Sequence, residues 1–481
     1  MILIDVNRQE YDNDTRNLIK AFYPKEDISN KNEEDYLMKV KVNQEGNVCK
    51  IDIEDAEGKD IYNTAITITT SDRKIIRTDF KLALYDGLSD ITGKTLPWGT
   101  LTGVRPTKIP LTMIEEGKKD DDIIKHMKDA YKCSDEKTKL SLEVAKRERS
   151  LLNRLDYENG YSLYIGIPFC PTTCLYCSFT SYPLGMWKKE VDSYLDAMIK
   201  ELEFVADRFS DKVLDTIYVG GGTPTTLDEF QLDRLLGKVE ELFDLSHLKE
   251  ITVEAGRPDS ITKEKLEVIK KHNISRISIN PQTMKQETLN LIGRHHTVEQ
   301  VISAYHLARD TGFDNINMDL IVGLPGERID DVRMTMEKLK ELDPDSITVH
   351  SLAIKRASRL NILKEQYKDY EINNTDEIIN LTSDYAYGMG MTPYYLYRQK
   401  NMAGNFENVG YAKPHKAGIY NILIMEEKQT IIAVGAGAST KVVFKEENRI
   451  ERIENVKDVR NYIDRIDEMI DRKRTFFSEK Y

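Results

Sequence analysis

The chain has 481 residues, 40% of them hydrophobic and 31% charged, with a net charge of −12. That length accommodates two or three domains around ample core material, and the composition is that of a soluble globular protein. The acidic balance argues against broad nucleic-acid binding, which needs basic surface. No apolar run approaches the ~18 residues of a membrane span.

Residues 1–8 lack a basic segment followed by a long apolar run, so they read as an opening strand rather than a signal peptide. A reducing cytoplasm is the expected compartment. Residues 1–150 read as a separate α+β unit. Strands are predicted at 36–41 and 48–53, around the turn Gln44-Glu45-Gly46-Asn47, and at 65–70. Helical patterns follow at 75–88 and 137–155. Between them, the glycines and prolines of residues 97–106 predict a fixed turn or connector.

From residue 161 the texture changes to alternating strands and helices. Short apolar runs occur at 162–168, 216–219, 250–253, 276–279, 316–322 and 346–352, with helical patterns at 191–206, 262–271, 298–311 and 332–342. Six strands alternating with helices over 151–391 predict parallel βαβ units, arranged either as an open sheet or as a curved partial barrel. In such sheets ligands gather at the C-terminal ends of the strands.

The informative loop follows the first of these strands. Cys170, Cys174 and Cys177 form Cys-x3-Cys-x2-Cys, while Cys49 and Cys133 stand alone and read as small buried hydrophobes. Structural zinc takes four closed ligands, and clusters that only carry electrons take four cysteines. Three thiolates on one loop suit a [4Fe–4S] cubane with one iron left open. Gly220-Gly221-Gly222-Thr223-Pro224-Thr225 follows the second strand; without Cβ atoms its backbone can approach a ligand closely, and no P-loop Gly-Lys-Ser/Thr follows. Glu254 ends the third strand, Gln282 follows the fourth and Asp319 lies on the fifth. Glu254 and Asp319 suit hydroxyls or positive charge, and Arg294 suits a carboxylate.

Residues 392–481 read as a C-terminal α+β region. Tyr394-Tyr395-Leu396-Tyr397-Arg398-Gln399-Lys400 is an aromatic and basic strand, fit either to cover the barrel mouth or to pack in a core. Gly435-Ala436-Gly437-Ala438-Ser439-Thr440 superficially resembles a dinucleotide fingerprint. A strand rather than a helix follows it, so a backbone wall is the expectation. The tail, 456–480, has a charged helical pattern expected to dock on the surface.

The cysteine spacing, Tyr176 and the Gly-Gly-Gly-Thr-Pro-Thr turn resemble the radical S-adenosylmethionine (radical SAM) superfamily. The runs Tyr164-Ile165-Gly166-Ile167-Pro168-Phe169-Cys170, Arg276-Ile277-Ser278-Ile279-Asn280-Pro281-Gln282 and Asp319-Leu320-Ile321-Val322-Gly323-Leu324-Pro325 narrow this to a resemblance to the oxygen-independent coproporphyrinogen III oxidase family. The long N-terminal part, the run from His350 to Ser358 and the run from Gly435 to Ser439 are most similar to its coproporphyrinogen dehydrogenase HemZ branch. The resemblance implies an α/β fold, a partial (β/α)6 radical SAM barrel with an N-terminal α+β domain and a C-terminal α+β extension. It implies a [4Fe–4S] cluster on Cys170, Cys174 and Cys177. It further implies one or two S-adenosylmethionine molecules, with contacts from Tyr164, Tyr176, Gly221, Gly222, Thr223, Glu254, Gln282, Arg294, Asp319 and Ala353.

The activity implied is oxidative decarboxylation of coproporphyrinogen III propionates to vinyl groups by a 5′-deoxyadenosyl radical, giving protoporphyrinogen IX. The partners implied are this tetrapyrrole substrate and a reductase or a flavodoxin- or ferredoxin-type electron donor. Four substrate carboxylates require a cationic pocket, for which Lys355, Arg356, Arg359, Arg398 and Lys400 are the candidates. The family's enzymes often carry histidine where Gly166 stands, and a further cysteine where Phe179 stands. A haem-binding chaperone or transfer protein and a radical SAM haem-modifying methyltransferase are the alternative readings.

Overall fold

The computed structural model describes the chain except for residues 32–34, 104, 157–158, 180, 356, 368, 400–401, 403–404, 448 and 481. It divides into two compact units. Residues 1–146 and 397–407 form one, and residues 147–396 and 408–481 form the other.

In the first unit, β1 (Ile2–Val6) pairs in parallel with β2 (Ile28–Ser29) and β3 (Met38–Glu45). An antiparallel meander then adds β4 (Val48–Asp55) and β5 (Asp60–Thr67). Alternation does the folding work: Met38, Val40 and Val42, then Cys49, Ile51 and Ile53, all turn inward. They pack with Leu18, Ile19 and Phe22 of helix Gln9–Phe22 and with Phe80, Leu84 and Leu88 of helix Arg73–Thr92. The strand predicted at 65–70 lies earlier because its register is set by β4, with Ile53 opposite Tyr62 and Val48 opposite Thr67.

The second unit is the barrel. Its parallel strands are β6 (Gly160–Ile167), β9 (Val213–Gly221), β10 (Glu250–Gly256), β11 (Arg276–Ile279), β12 (Ile316–Val322) and β13 (Ser346–Ser351). Between the first two stand the short strands β7 (Phe169–Cys170) and β8 (Tyr182–Pro183), paired with each other in parallel. Near-continuous burial of β6, β9 and β10 is the mark of strands covered on both faces.

The C-terminal region, expected as a third segment, is woven into this sheet. β14 (Thr392–Tyr397) and β15 (Asn408–Ala412) extend it beyond β13, while β16 (Thr430–Val434), β17 (Ser439–Phe444) and β18 (Arg449–Glu454) extend it beyond β6. β16 runs parallel to β6, so Gly435 crosses Gly166 so closely that a Cβ on Gly435 would sit 2.5 Å from the Gly166 carbonyl oxygen. Tyr394 and Tyr395 pack in the core, over Gly410. The tail forms helices Val459–Asp464 and Ile466–Lys480 and is not merely surface-docked: Lys473 is fully buried against Glu201, at 2.7 Å.

Candidate active site

The chain leaves β6 at Ile167 and enters the loop that carries the three cysteines. The backbone pins that loop at several points. Thr223 N–H donates to Phe169 O at 2.7 Å, Leu175 N–H to Ile292 O at 2.9 Å, and Leu360 N–H to Leu175 O at 2.8 Å. Cys170, Cys174 and Cys177 are all partly exposed and all free thiols. Burial pushes the Cys170 thiol up to about 11, against a hydrogen bond from Thr223, whose hydroxyl lies 3.6 Å from its Sγ.

The glycine turn at the end of β9 is built to fit under this loop. A Cβ on Gly222 would lie 2.5 Å from Phe169 O and 3.0 Å from Cys170 Sγ. Gly221 takes φ +111°, open to glycine but strained for other residues. Cys170, Gly222 and Thr223 are thus brought together at the ends of adjacent strands.

Around them stand polar groups with incomplete partners. Arg294, 3% exposed, donates to Tyr176 Oη at 3.0 Å and to Asn280 O at 2.8 Å, yet its Nε has no partner. Gln282 holds φ +67°, bracketed by backbone hydrogen bonds to Asp319 O and from Ile321 N–H, and its buried Oε1 accepts nothing. A strained backbone that aims an unpaired oxygen inward is the kind of feature that accompanies ligand binding.

Glu254 accepts a hydrogen bond from Tyr218, and burial pushes its carboxyl up to about 7. Burial acts on Asp319 in the same direction, but His350, whose Nε2 lies 3.9 Å away, and Asn317, which donates to Oδ1 at 2.7 Å, help to outweigh it and hold that carboxyl below its usual range. Tyr164 stacks near Tyr218 and Tyr420, and the Tyr218–Tyr420 rings are 4.5 Å apart. Tyr218 and Tyr420 carry no sequence signal: pairing of β6 with β9 sets Tyr218 beside Tyr164, and helix Ile419–Glu426 brings Tyr420 against both rings.

The candidate cations separate. Lys355 stands over the Phe179 ring at 5.4 Å, and Phe179 is 71% exposed. Arg359 reaches Thr173 O at 3.4 Å. Ala353 lies half-buried just beyond β13. Arg356 and Lys400 fall outside the described residues. Arg398 belongs to the first unit, 3% exposed, and donates to Leu101 O and to Asn405. Its guanidinium is committed to holding backbone, which removes the reason for placing it among substrate cations.

The residues fit a cluster and its ligand. The thiols are not gathered as ligands of one ion, and among the described residues no such group of three exists. Thiolates that each serve a different iron of a cubane need not be. The Gly222 cradle and the orphaned polar atoms of Arg294 and Gln282 supply close backbone approach and open hydrogen-bonding capacity beside them.

Residues 164–339 match the radical SAM superfamily, whose members use a [4Fe–4S] cluster and S-adenosylmethionine. The solved structure of coproporphyrinogen III oxidase (HemN) from Escherichia coli superposes with a TM-score of 0.52 at 23% identity, covering 67% of this chain and 72% of that one. It shares the fold. The heme chaperone HemW of Bacillus subtilis is 37% identical over 194 residues, 40% of this chain and 50% of that protein. The oxygen-independent coproporphyrinogen-III oxidase-like protein HemZ of Bacillus subtilis is 43% identical over 389 residues, 79% of this chain and 77% of that protein. Identity of that extent, running through the cysteine loop and the barrel, places the chain in the radical SAM superfamily and, within it, in the family of oxygen-independent coproporphyrinogen-III oxidase-like HemZ proteins.

Proposed function

We propose that this protein decarboxylates propionate groups of coproporphyrinogen III without oxygen, turning them into vinyl groups on the way to protoporphyrinogen IX. The observation that carries the reading is a cation beside the cysteine loop, Lys355, which forms no ion pair with a carboxylate among the described residues. Burial holds the Lys355 ammonium below its usual range, opposed only by the nearby Cys177 thiol, and it faces the open Phe179 ring. A group so placed suits a substrate carboxylate on an apolar macrocycle. Relatives named as a coproporphyrinogen-III oxidase-like protein and as a coproporphyrinogen III oxidase support the same reading.

When bound, a cluster and S-adenosylmethionine would supply a 5′-deoxyadenosyl radical able to take a hydrogen atom from a propionate, whose conversion to a vinyl group would release carbon dioxide and one electron to an external acceptor. The chain's part is to bind and orient. Cys170, Cys174 and Cys177 would hold the cluster. Arg294 and the Gly221–Gly222 backbone would take the carboxylate and ammonium of S-adenosylmethionine, and Glu254 and Asp319 its hydroxyls. Lys355 and Arg359 would orient the substrate's propionates. A flavodoxin- or ferredoxin-type donor would deliver the reducing electron.

A second reading, a haem chaperone, is favoured by the exposed aromatic Phe179 and the HemW relative. Anaerobic incubation of cluster-loaded protein with reductant, S-adenosylmethionine and coproporphyrinogen III separates the two. Harderoporphyrinogen and protoporphyrinogen IX are expected; stable haem binding with no such products would establish the chaperone instead. Lys355→Met should weaken porphyrinogen binding about tenfold, the worth of one charge-assisted hydrogen bond, and leave S-adenosylmethionine cleavage unchanged.

A further inference from the structure

Two buried guanidinium groups grip the cysteine loop, and only one of them belongs to the residues already discussed. Arg294 holds Tyr176, between Cys174 and Cys177. The other is Arg257, which directly follows β10 and is 3% exposed. Its Nη1 donates to Thr172 Oγ1 at 2.6 Å and to Thr172 O at 3.3 Å, between Cys170 and Cys174. Its Nε and Nη2 grip Asp259 at 3.0 and 2.6 Å. Thr172 Oγ1 passes the contact on to Gly293 O at 3.1 Å.

The charge around this loop is unbalanced. Asp259 is the carboxylate held by Arg257. His296, fully buried with neither ring nitrogen hydrogen-bonded, is kept neutral by burial and by Arg294. Among the described residues, the two buried guanidinium groups, together with Lys355 near Cys177, therefore outnumber Asp259 beside the thiols. A cubane on three thiolates is an anion, and it gains one more negative charge on reduction. Cluster potentials follow net charge, hydrogen bonding and exposure, and a buried cation acts through a low dielectric.

We infer that Arg257 is a positioning residue that holds the cysteine loop through Thr172 and, by its fixed charge against that of Asp259, raises the cluster's reduction potential. The step it eases is the entry of one electron from a low-potential donor into the oxidised cluster, with no bond broken and no proton moved. The inference rests on the cluster and not on the identity of the substrate.

The test is a potentiometric titration of the full-length, cluster-loaded protein with dithionite, followed by electron paramagnetic resonance. Arg257→Met should lower the equilibrium constant for reduction about tenfold, or about 59 mV for one electron. Asp259→Asn should shift it the other way, because it leaves the guanidinium uncompensated. Arg257→Lys keeps the charge without the fork and should hold the potential near that of the parent while retaining less iron. Shifts of the same sign in Arg257→Met and Asp259→Asn, or no shift in either, would overturn the inference. If Arg257→Met takes up no cluster, Asp259→Asn decides: an upward shift sustains the inference and an unchanged potential rejects it.

Discussion

Glu254 shows how much one side chain's surroundings can change its chemistry. Its carboxyl is raised from 4.5 to about 7, by burial first and by Asp319 in addition, against hydrogen bonds from Tyr218 and the Gly221 backbone. Its folded-state pKa therefore lies above the unfolded value, and the folded chain binds its proton more tightly than the unfolded one does. The resulting stabilisation is fully present below about pH 4.5, the unfolded carboxyl value, and is lost as pH rises through about 7. The urea midpoint of the ligand-free protein should fall between pH 5 and 8, and Glu254→Gln should flatten that fall. Equal slopes in the two proteins would show that this carboxyl does not titrate there. The cysteines, Gly222 and Glu254 were legible because their spacing is local and lies at strand ends. Tyr218 and Arg257 were not. A tyrosine inside a strand and an arginine after one look ordinary until pairing sets them against Glu254 and Thr172.

At the scale of elements, the tail corrects a reading from charge pattern. Helix Ile466–Lys480 is charged along its length, as a surface helix would be. Lys473 nevertheless points inward, where its ammonium meets Glu201 of helix Val191–Arg208 and Asn455 Oδ1 at 2.8 Å. Glu201 also accepts from Tyr462 and from Gly435 N–H, so one carboxylate ties the tail to the glycine turn after β16. Removing one partner of a buried ion pair strands the other. Lys473→Met should cost about 3–5 kcal/mol, and the double change with Glu201→Gln should recover part of it. Guanidinium titrations of the three proteins check this; a loss below about 1 kcal/mol in Lys473→Met would mean that Glu201 is satisfied without it. Helical period identified the element, but periodicity cannot say which charged residue of a mixed face is buried.

For the whole molecule, the chain path matters more than the order of segments. Between β14 and β15 the chain contributes residues 397–407 to the N-terminal unit. There Glu407, fully buried, accepts from Trp98 Nε1 at 2.7 Å and from Lys137 Nζ at 2.6 Å. Two units with separate cores need not unfold as one. In a Trp187→Phe background Trp98 is the sole tryptophan. Glu407→Ala should then lower the denaturation midpoint reported by Trp98 while the transition of the barrel keeps its place. A common shift of both transitions would show instead that they unfold together.

By itself the sequence determined the parallel βαβ units, the three-cysteine loop, the glycine turn and the family. Each rests on local period or spacing, which survives in one dimension. Tertiary structure alone decided that the C-terminal strands extend the barrel sheet at both ends and that Arg398 is held by Leu101 O and Asn405. It alone placed Arg257 and Arg294 on the cysteine loop. Those outcomes depend on pairing and burial between residues far apart in the chain, and no local pattern encodes them.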